Sequence, residues 1–438
     1  MSDTIQKEEF KTENLSITVQ RKPFCKIELE IEATPSFIQK SKKKAIKEVG
    51  KQVSIPGFRK GKAPEEMILK SYSGAVDEKL HKHLADDAFK EAINEIKIPP
   101  LSNGPKITYD LKNLDVEKGA HLSFSYESEP NIPSVDPQKY TPKEITKQEI
   151  GEKEIQEAIR QTQFFYAKWN DVEEREAKEG DFVLIDLESL EDEKAKVFSD
   201  TRFEVKKEYM ADWMRELVVG MKPGEEKEGV SKPDKDATDE EKKEFQPKKV
   251  KLTLKKIEEP ELPELDEEFA KKVGTKDIES FKKSLEEMLQ KKAEEKFDQE
   301  KREDVNKFLL DVYPFELPSS LIEKEKDHRL QQMLSNPRSK KEYEGYSQEQ
   351  KNKVLASVVK QADDAVRLFY ISRKVVHEAK IDVGYEDVFK EAIATMQAYG
   401  PMQIDPKNIP QEVYALAFSK VMLKKAQDHI LANAKKQA

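Results

Sequence analysis

The stretch Val53-Ser54-Ile55-Pro56-Gly57-Phe58-Arg59-Lys60-Gly61-Lys62-Ala63-Pro64 sets the architecture around it. Two prolines and two glycines between Pro56 and Pro64 make it a loop. Upstream, Phe37, Ile38, Ala45, Ile46 and Val49 recur at helical spacing. Thr34-Pro35 supplies an N-cap and a first-turn proline, and Gly50 is the expected helix end. Further upstream, Cys25, Ile27, Leu29 and Ile31 alternate with charged residues, the period-two pattern of a strand buried on one face. Downstream, Pro64-Glu65-Glu66 opens a helix that carries Met67, Ile68, Val76, Leu80, Leu84, Ala88, Phe89, Ile93 and Ile96 and breaks at Pro99-Pro100. Strand-like stretches follow at 106–110 and 122–127. A strand, two helices and further strands predict an α+β domain over residues 1–130.

The chain has 438 residues, of which 38% are charged and 36% hydrophobic, with a mean hydropathy of -0.82. An ordinary soluble domain carries about 25% charge. No apolar run approaches the roughly 18–20 residues of a membrane helix, and the first nine residues lack a signal-peptide core. The single cysteine, Cys25, excludes an intrachain disulfide framework and a Cys-based zinc site, so a cytoplasmic location is expected. The length fits two to four domains with small cores. The formal net charge is -9, which does not describe a general nucleic-acid binder. The charge is unevenly placed, however. From Ile38 to Lys62 there are nine basic residues (Lys40, Lys42, Lys43, Lys44, Lys47, Lys51, Arg59, Lys60, Lys62) against Glu48 alone. That is a local +8, and -17 remains for the rest of the chain.

Pro130, Pro133, Pro137 and Pro142 mark an extended connector over 131–174, in which Ile150–Trp169 reads as a helix. Phe182–Leu187 and Val250–Leu254 read as strands of a small β-rich domain over 175–258, with a highly charged loop at Ser231–Lys249. Residues 259–438 are helical almost throughout. Breaks fall at Phe315–Pro318, Gly400-Pro401 and Pro406–Pro410. Ser320 with Glu323 has capping-box spacing for the helix that follows Pro318. Long helices are expected at Ser280–Val312, Val354–Ala379 and Gln411–Asn433.

No phosphate-binding glycine loop, dinucleotide fingerprint or nucleophile elbow is present. His81 and His83 lie two apart on a helix and point to different faces, which favours solvated side chains over a metal site. The basic segment is the informative feature. A charge run is usually a solvated helix face. Here Phe58 beside Arg59 adds a hydrophobic tip and a planar guanidinium, suited to RNA phosphate or to an acidic protein surface.

Gly57-Phe58-Arg59-Lys60-Gly61-Lys62-Ala63-Pro64 resembles the ribosome-binding signature of bacterial trigger factors, Gly-Phe-Arg-x-Gly-x-x-Pro. Val53–Pro56 and Glu261–Phe269 are also similar to that family. The resemblance implies a multidomain α+β chain: an N-terminal ribosome-binding domain, an FKBP-like prolyl isomerase domain, and an all-helical C-terminal region (259–438) that cradles nascent polypeptides together with the connector. It places docking on Phe58, Arg59 and Lys60, framed by Gly57, Gly61 and Pro64. It implies partners in a ribosomal protein, nearby rRNA and unfolded chains, with no membrane, and it allows a homodimer off the ribosome. Neither ATP nor metal is needed, so no cofactor is expected. A free prolyl isomerase whose basic patch serves another partner is the alternative.

The expected isomerase pocket comprises Phe198, Phe203, Trp213, Met214 and Val250. It departs from the family pattern: Phe198-Ser199-Asp200-Thr201 stands where the family has Phe-x-Gly-Gly, and Met214 and Val250 replace aromatics. Rotation about an X–Pro bond meets a barrier of about 18–20 kcal/mol and needs a dry aromatic pocket rather than an acid or base. Weakened isomerase activity is therefore expected. Phe281, Met288, Phe297, Met333, Phe369, Met396, Tyr399, Met402, Phe418 and Met422 are the apolar candidates for the cradle.

Overall fold

The structure, a computed structural model, describes residues 7–102, 104–172, 175–190, 196–234, 236–237, 242, 245, 247–398 and 409–435. Tyr399, Gly400, Pro401, Met402, Pro406 and much of Ser231–Lys249 lie outside the described residues. Contacts divide the chain into two compact units, residues 1–144 with 299–438 and residues 145–298.

The first unit begins with a five-stranded antiparallel sheet of order β1-β2-β3-β5-β4: β1 Lys7–Lys11, β2 Leu15–Lys22, β3 Lys26–Ala33, β4 Thr108–Asp115 and β5 Gly119–Glu127. Alternation puts Leu15, Ile17 and Val19 (β2), Ile27, Leu29 and Ile31 (β3), and Leu122, Phe124 and Tyr126 (β5) on one face. Helices α1 (Pro35–Gln52) and α2 (Glu65–Ile96) bury that face through Ile38, Ala45, Ile46 and Val49, and through Val76, Leu80, Leu84 and Ala88. β1 and β2 were not anticipated, although Leu15-Ile17-Val19 carries the same alternation that revealed β3.

Helix α1 does not stop at Gly50. It runs to Gln52, and Gly50 is buried inside it. A Cβ at Gly50 would lie 2.7 Å from Ile68 Cδ1, so the glycine permits close approach of α2 instead of ending α1.

The same unit contains most of the C-terminal helices. α6 (Ile278–Val312) crosses the boundary between the units. It is followed by α7 (Ser319–Ser335), α8 (Pro337–Gly345), α9 (Gln348–Glu378), α10 (Tyr385–Ala398) and α11 (Gln411–Asn433). Val305, Leu309, Tyr313, Ile371, Val375, Ala426 and Ile430 form one core with Tyr140 of the connector. Tyr140 OH donates to Asp304 Oδ2 at 2.8 Å. α9 starts six residues before the expected Val354, because Ser347 and Gln350 form a capping box there.

The capping box expected at Ser320 and Glu323 is not formed. Ser320 lies inside α7, and the acceptor at that helix start is Glu127, from the end of β5. Its carboxylate accepts from Ser319 Oγ at 2.9 Å, from Ser320 N at 3.3 Å, and from Ser320 Oγ. A side chain 193 residues away thus satisfies donors that a local cap would otherwise serve. Nearby, Cys25 Sγ donates to Glu316 O at 3.3 Å. Burial, with the neighbouring carboxylates of Glu316 and Glu127, pushes the Cys25 thiol up to about 11.

In the second unit, β10 (Lys249–Glu261) is the long central strand. One side pairs with β7 (Phe182–Ser189), which pairs with β8 (Lys196–Glu204). The other pairs with β9 (Glu226–Val230) and β6 (Lys168–Asp171). α4 (Asp212–Val218) packs on this sheet through Met214 and Val218. Helices α3 (Glu152–Phe165) and α5 (Glu267–Lys272) share a smaller core with the start of α6, made of Ile159, Phe269, Phe281 and Leu285. The helix expected over Ile150–Trp169 stops at Phe165. Trp169 instead enters β6 opposite Pro260, with Phe164 at 6.2 Å and Phe182 at 5.0 Å between ring centroids. The sheet therefore begins before residue 175. Among the described residues no helix is long and apolar enough to cross a membrane.

Removing the cap of α7 should loosen that helix start. Caps contribute about 1 kcal/mol. Glu127→Ala is expected to speed hydrogen exchange of the first α7 amides roughly fivefold, with exchange in α2 unchanged.

Candidate functional site

The Gly57–Pro64 loop is built by its backbone. α1 ends as Val53 N donates to Val49 O at 3.0 Å. Ile55 turns inward and is 5% exposed. Two tight turns follow, with Phe58 N donating to Ile55 O at 3.1 Å and Lys62 N to Arg59 O at 2.9 Å. Gly57 and Gly61 take φ of 86° and 79°, the left-handed region that suits glycine. Gly61 N donates to Gly50 O at 3.0 Å and closes the loop on the end of α1. From α2, Tyr72 OH donates to Ser54 O at 3.2 Å, and Tyr72 itself departs from helical geometry. The tip between the two glycines is Phe58-Arg59-Lys60. All three are exposed, and Phe58 keeps 41% of its surface. The loop thus presents a phenylalanine followed by two cations to solvent, on a backbone pinned at both ends.

The basic segment upstream is also exposed along one side of α1. Glu48, its one carboxylate, is engaged by Lys79 Nζ and His83 Nε2, each at 2.6 Å. Those hydrogen bonds hold its carboxyl below the usual carboxylate range. His83 is therefore a hydrogen-bond partner of Glu48 rather than a freely solvated ring, whereas His81 is exposed. The contribution of Lys79 and His83 was not legible in the sequence, because contact with Glu48 requires α1 and α2 to be packed.

The five residues expected to line a proline pocket converge on one cluster in the second unit, but differ in access. Met214 (7% exposed) and Val250 (4%) belong to its core. Phe198 and Phe203 are half-buried on it, with ring centroids 5.3 Å apart. Trp213 lines a depression of about 690 Å3 with Ala211, Lys232, Pro233 and Phe245. None of the other four expected residues lines that depression. Asp200 has a φ of 50° at a place where the family pattern has glycine. Its N–H donates to Asp186 Oδ1 at 2.7 Å, and Lys255 Nζ reaches Asp186 Oδ2 at 3.0 Å and Asp200 Oδ1 at 2.6 Å. Burial opposes ionisation of Asp186. The Asp200 N–H, Lys255 and Ser199 outweigh it and hold its carboxyl below the usual range. These interactions fix the turn that follows Phe198. Asp186 was missed in the sequence because it reads as one polar residue within an apolar strand.

The cradle candidates separate by burial. Phe281 and Met422 are core, while Phe297, Met333, Phe369 and Met396 are half-buried, and Met288 (49%) and Phe418 (43%) are exposed. Between α7, α9 and α11 lies a groove of about 650 Å3 lined by Leu321, His328, Val366, Phe369, Leu416 and Leu423, among others.

Comparison with known proteins agrees with the loop. A family model described as "Bacterial trigger factor protein (TF)" matches residues 15–162, and one described as "Bacterial trigger factor protein (TF) C-terminus" matches residues 277–432. The chain is 28% identical to the trigger factor of Protochlamydia amoebophila over 419 residues, 94% of each chain. It is 26% identical to that of Chlamydia pneumoniae over 438 residues, 96% of each. It is 31% identical to that of a Nostoc species over 339 residues, 73% of this chain and 71% of the other. A solved structure reported as "Promiscuous Substrate Recognition in Folding and Assembly Activities of the Trigger Factor Chaperone" aligns with 94% of this chain and 99% of its own, at 19% identity and a TM-score of 0.49. With a closed Gly57–Pro64 loop, both family models and relatives spanning nearly its whole length, this chain belongs to the bacterial trigger factor family.

Proposed function

We propose that this protein is a ribosome-docked chaperone that holds nascent polypeptides without ATP. The observation that carries the reading is the Phe58-Arg59-Lys60 tip, exposed and held between two positive-φ glycines. Residues 1–130 serve as the docking domain, about 168–261 (the sheet from β6 to β10) as an FKBP-type isomerase module, and the helices that follow with the preceding connector as the client-holding region. Docking combines salt-screened attraction through Arg59 and Lys60 with apolar burial of Phe58, worth about 1.5–3 kcal/mol if complete. Ribosome co-sedimentation tests it. A Phe58/Arg59/Lys60→Ala triple variant is expected to bind at least about tenfold more weakly than the parent, that is by about 1.4 kcal/mol or more. Equal sedimentation of the two would defeat the assignment.

For client holding, the α7–α9–α11 groove offers apolar surface rimmed by charge, a composition that tolerates varied sequences and favours weak, rapidly exchanging contacts. Phe369→Ser with Leu416→Ser is expected to reduce suppression of aggregation of a denatured client while leaving ribosome binding intact.

The isomerase reading is of a weakened enzyme. Two of its five expected pocket residues are core, and the two phenylalanines pack on that core, which leaves Trp213, with Phe245 beside it in the depression, as the expected residue that can meet a proline ring. In a proline-limited refolding assay the full chain is expected to be at least about tenfold slower than an ordinary FKBP-type enzyme, equivalent to about 1.4 kcal/mol in barrier. Trp213→Ala should abolish what remains. Turnover equal to an ordinary enzyme would refute the weakening.

A further inference from the structure

The helix that carries Trp213 is held at both ends by β9 and the segment that follows it. At the C-terminal end of α4, Lys227 Nζ of β9 donates to Leu217 O at 3.1 Å. Gly229 leaves room for Leu217, since a Cβ there would lie 2.5 Å from Leu217 Cδ1. The β9–β10 pairing closes with Ser231 N donating to Lys248 O and Lys248 N to Ser231 Oγ, each at 2.9 Å. From there Lys232-Pro233-Asp234 leaves the sheet and reaches the start of α4, where Asp212 N donates to Asp234 Oδ1 at 2.8 Å. Asp212 is the first residue of α4, so its N–H is one of the orphan donors of a helix start, and Ala211 before it offers no side-chain acceptor. The Asp212 carboxylate is engaged elsewhere, accepting from Arg215 Nη2 at 2.8 Å. Ala211 and Trp213, on either side of Asp212, line the depression of about 690 Å3, and Pro233 lines it from the strap. One hydrogen bond therefore ties the two sides of the depression together.

We infer that Asp234 is a positioning residue of the proline site: through Asp212 N it sets how far the Pro233 side of the depression stands from the Trp213 side. The inference rests on the isomerase reading and deepens it by naming what shapes the site. A proline ring enclosed on two sides loses more apolar surface to the protein than a ring resting on Trp213 alone. That gain applies to the planar and to the twisted amide alike. Its loss is a loss of uniform binding, which raises KM and leaves kcat in place. Asp234 is exposed and Asp212 is buried, at 8% exposure. Freeing the strap thus leaves the core beneath α4 intact.

The test uses the full chain as parent, Asp234→Ala, Asp234→Asn, Trp213→Ala, and Ala211→Ser combined with Asp234→Ala. Each is assayed for isomerisation of the tetrapeptide Ala-Leu-Pro-Phe, and the same peptide is titrated while the indole N–H resonances are followed. The chain has two tryptophans, so the Trp213 signal is the one that Trp213→Ala loses. Loss of one charge-assisted hydrogen bond should raise KM of Asp234→Ala about fivefold to tenfold with kcat held. The peptide concentration that half-shifts the Trp213 signal should rise by the same factor. Asp234→Asn keeps an acceptor oxygen and should return both values to within about threefold of the parent. The double variant restores a side-chain cap to α4 without fastening the strap, and should keep the raised KM. An Asp234→Ala form with the parent's KM and half-shift overturns the inference and leaves the isomerase reading standing. Recovery of KM in the double variant also overturns it, because Asp234 would then serve α4 as a cap and nothing more. So does an equal fall in kcat of the Ala and Asn forms with KM unchanged. If the parent binds the peptide without measurable turnover, the half-shift decides: a raised value in Asp234→Ala supports the inference and an equal value overturns it. A parent that neither isomerises the peptide nor shifts Trp213 removes the isomerase reading, and the inference falls with it.

Discussion

The hydrogen bond from Gly61 N to Gly50 O, 3.0 Å long, couples the exposed tip to the N-terminal core. Gly50 O can accept it because Gly50 lies in the last turn of α1, whose carbonyls have no intrahelical donor, and the missing side chain at Gly50 leaves room for Ile68 of α2. Sheet, helix pair and loop are thus one mechanical unit. Ile55 anchors the loop from inside, and Phe58 stays outside because the two glycines turn the chain before and after it. A tip held this way is already ordered, so the entropy cost of fixing a mobile loop would not fall on a binding event.

Polar contacts between distant chain segments recur elsewhere. Glu127 caps α7 from across the first unit, and Tyr140 joins the connector to Asp304 of α6. In the second unit Asp186 holds the backbone of Asp200 in the left-handed region, where the family pattern has glycine. Each contact satisfies a buried or half-buried donor that local sequence leaves open. Local pattern therefore misjudges these sites: the Ser320–Glu323 spacing is a sound helix-start signal, but Glu127 occupies the position first.

Much of the architecture was legible. Alternation in 25–32 and helical spacing in 35–52 and 64–96 locate β3, α1 and α2, and the Pro/Gly content of 56–64 locates the loop between them. β1 was less legible because it is a short edge strand with an exposed-and-half-buried pattern. Trp169 was misplaced because the helical period of 155–165 continues to it, while its place in the sheet is set by pairing with Pro260, far along the chain. Of the pocket candidates, sequence could name aromatics but not access. Met214 and Trp213 are neighbours in the chain, yet one is core and the other faces the depression.

By itself, the sequence determined the family-bearing loop with its Pro/Gly content, the +8 segment within an acidic chain and the helical C-terminal region. These are local properties: residue type, spacing and backbone preference are written in consecutive positions. Tertiary structure alone decided that the lysines of α1 form one outward stripe with Glu48 neutralised from α2. It also decided which aromatics remain accessible and which carboxylate caps α7. Those outcomes depend on which helix face the core claims, and the core is assembled from segments far apart in the chain.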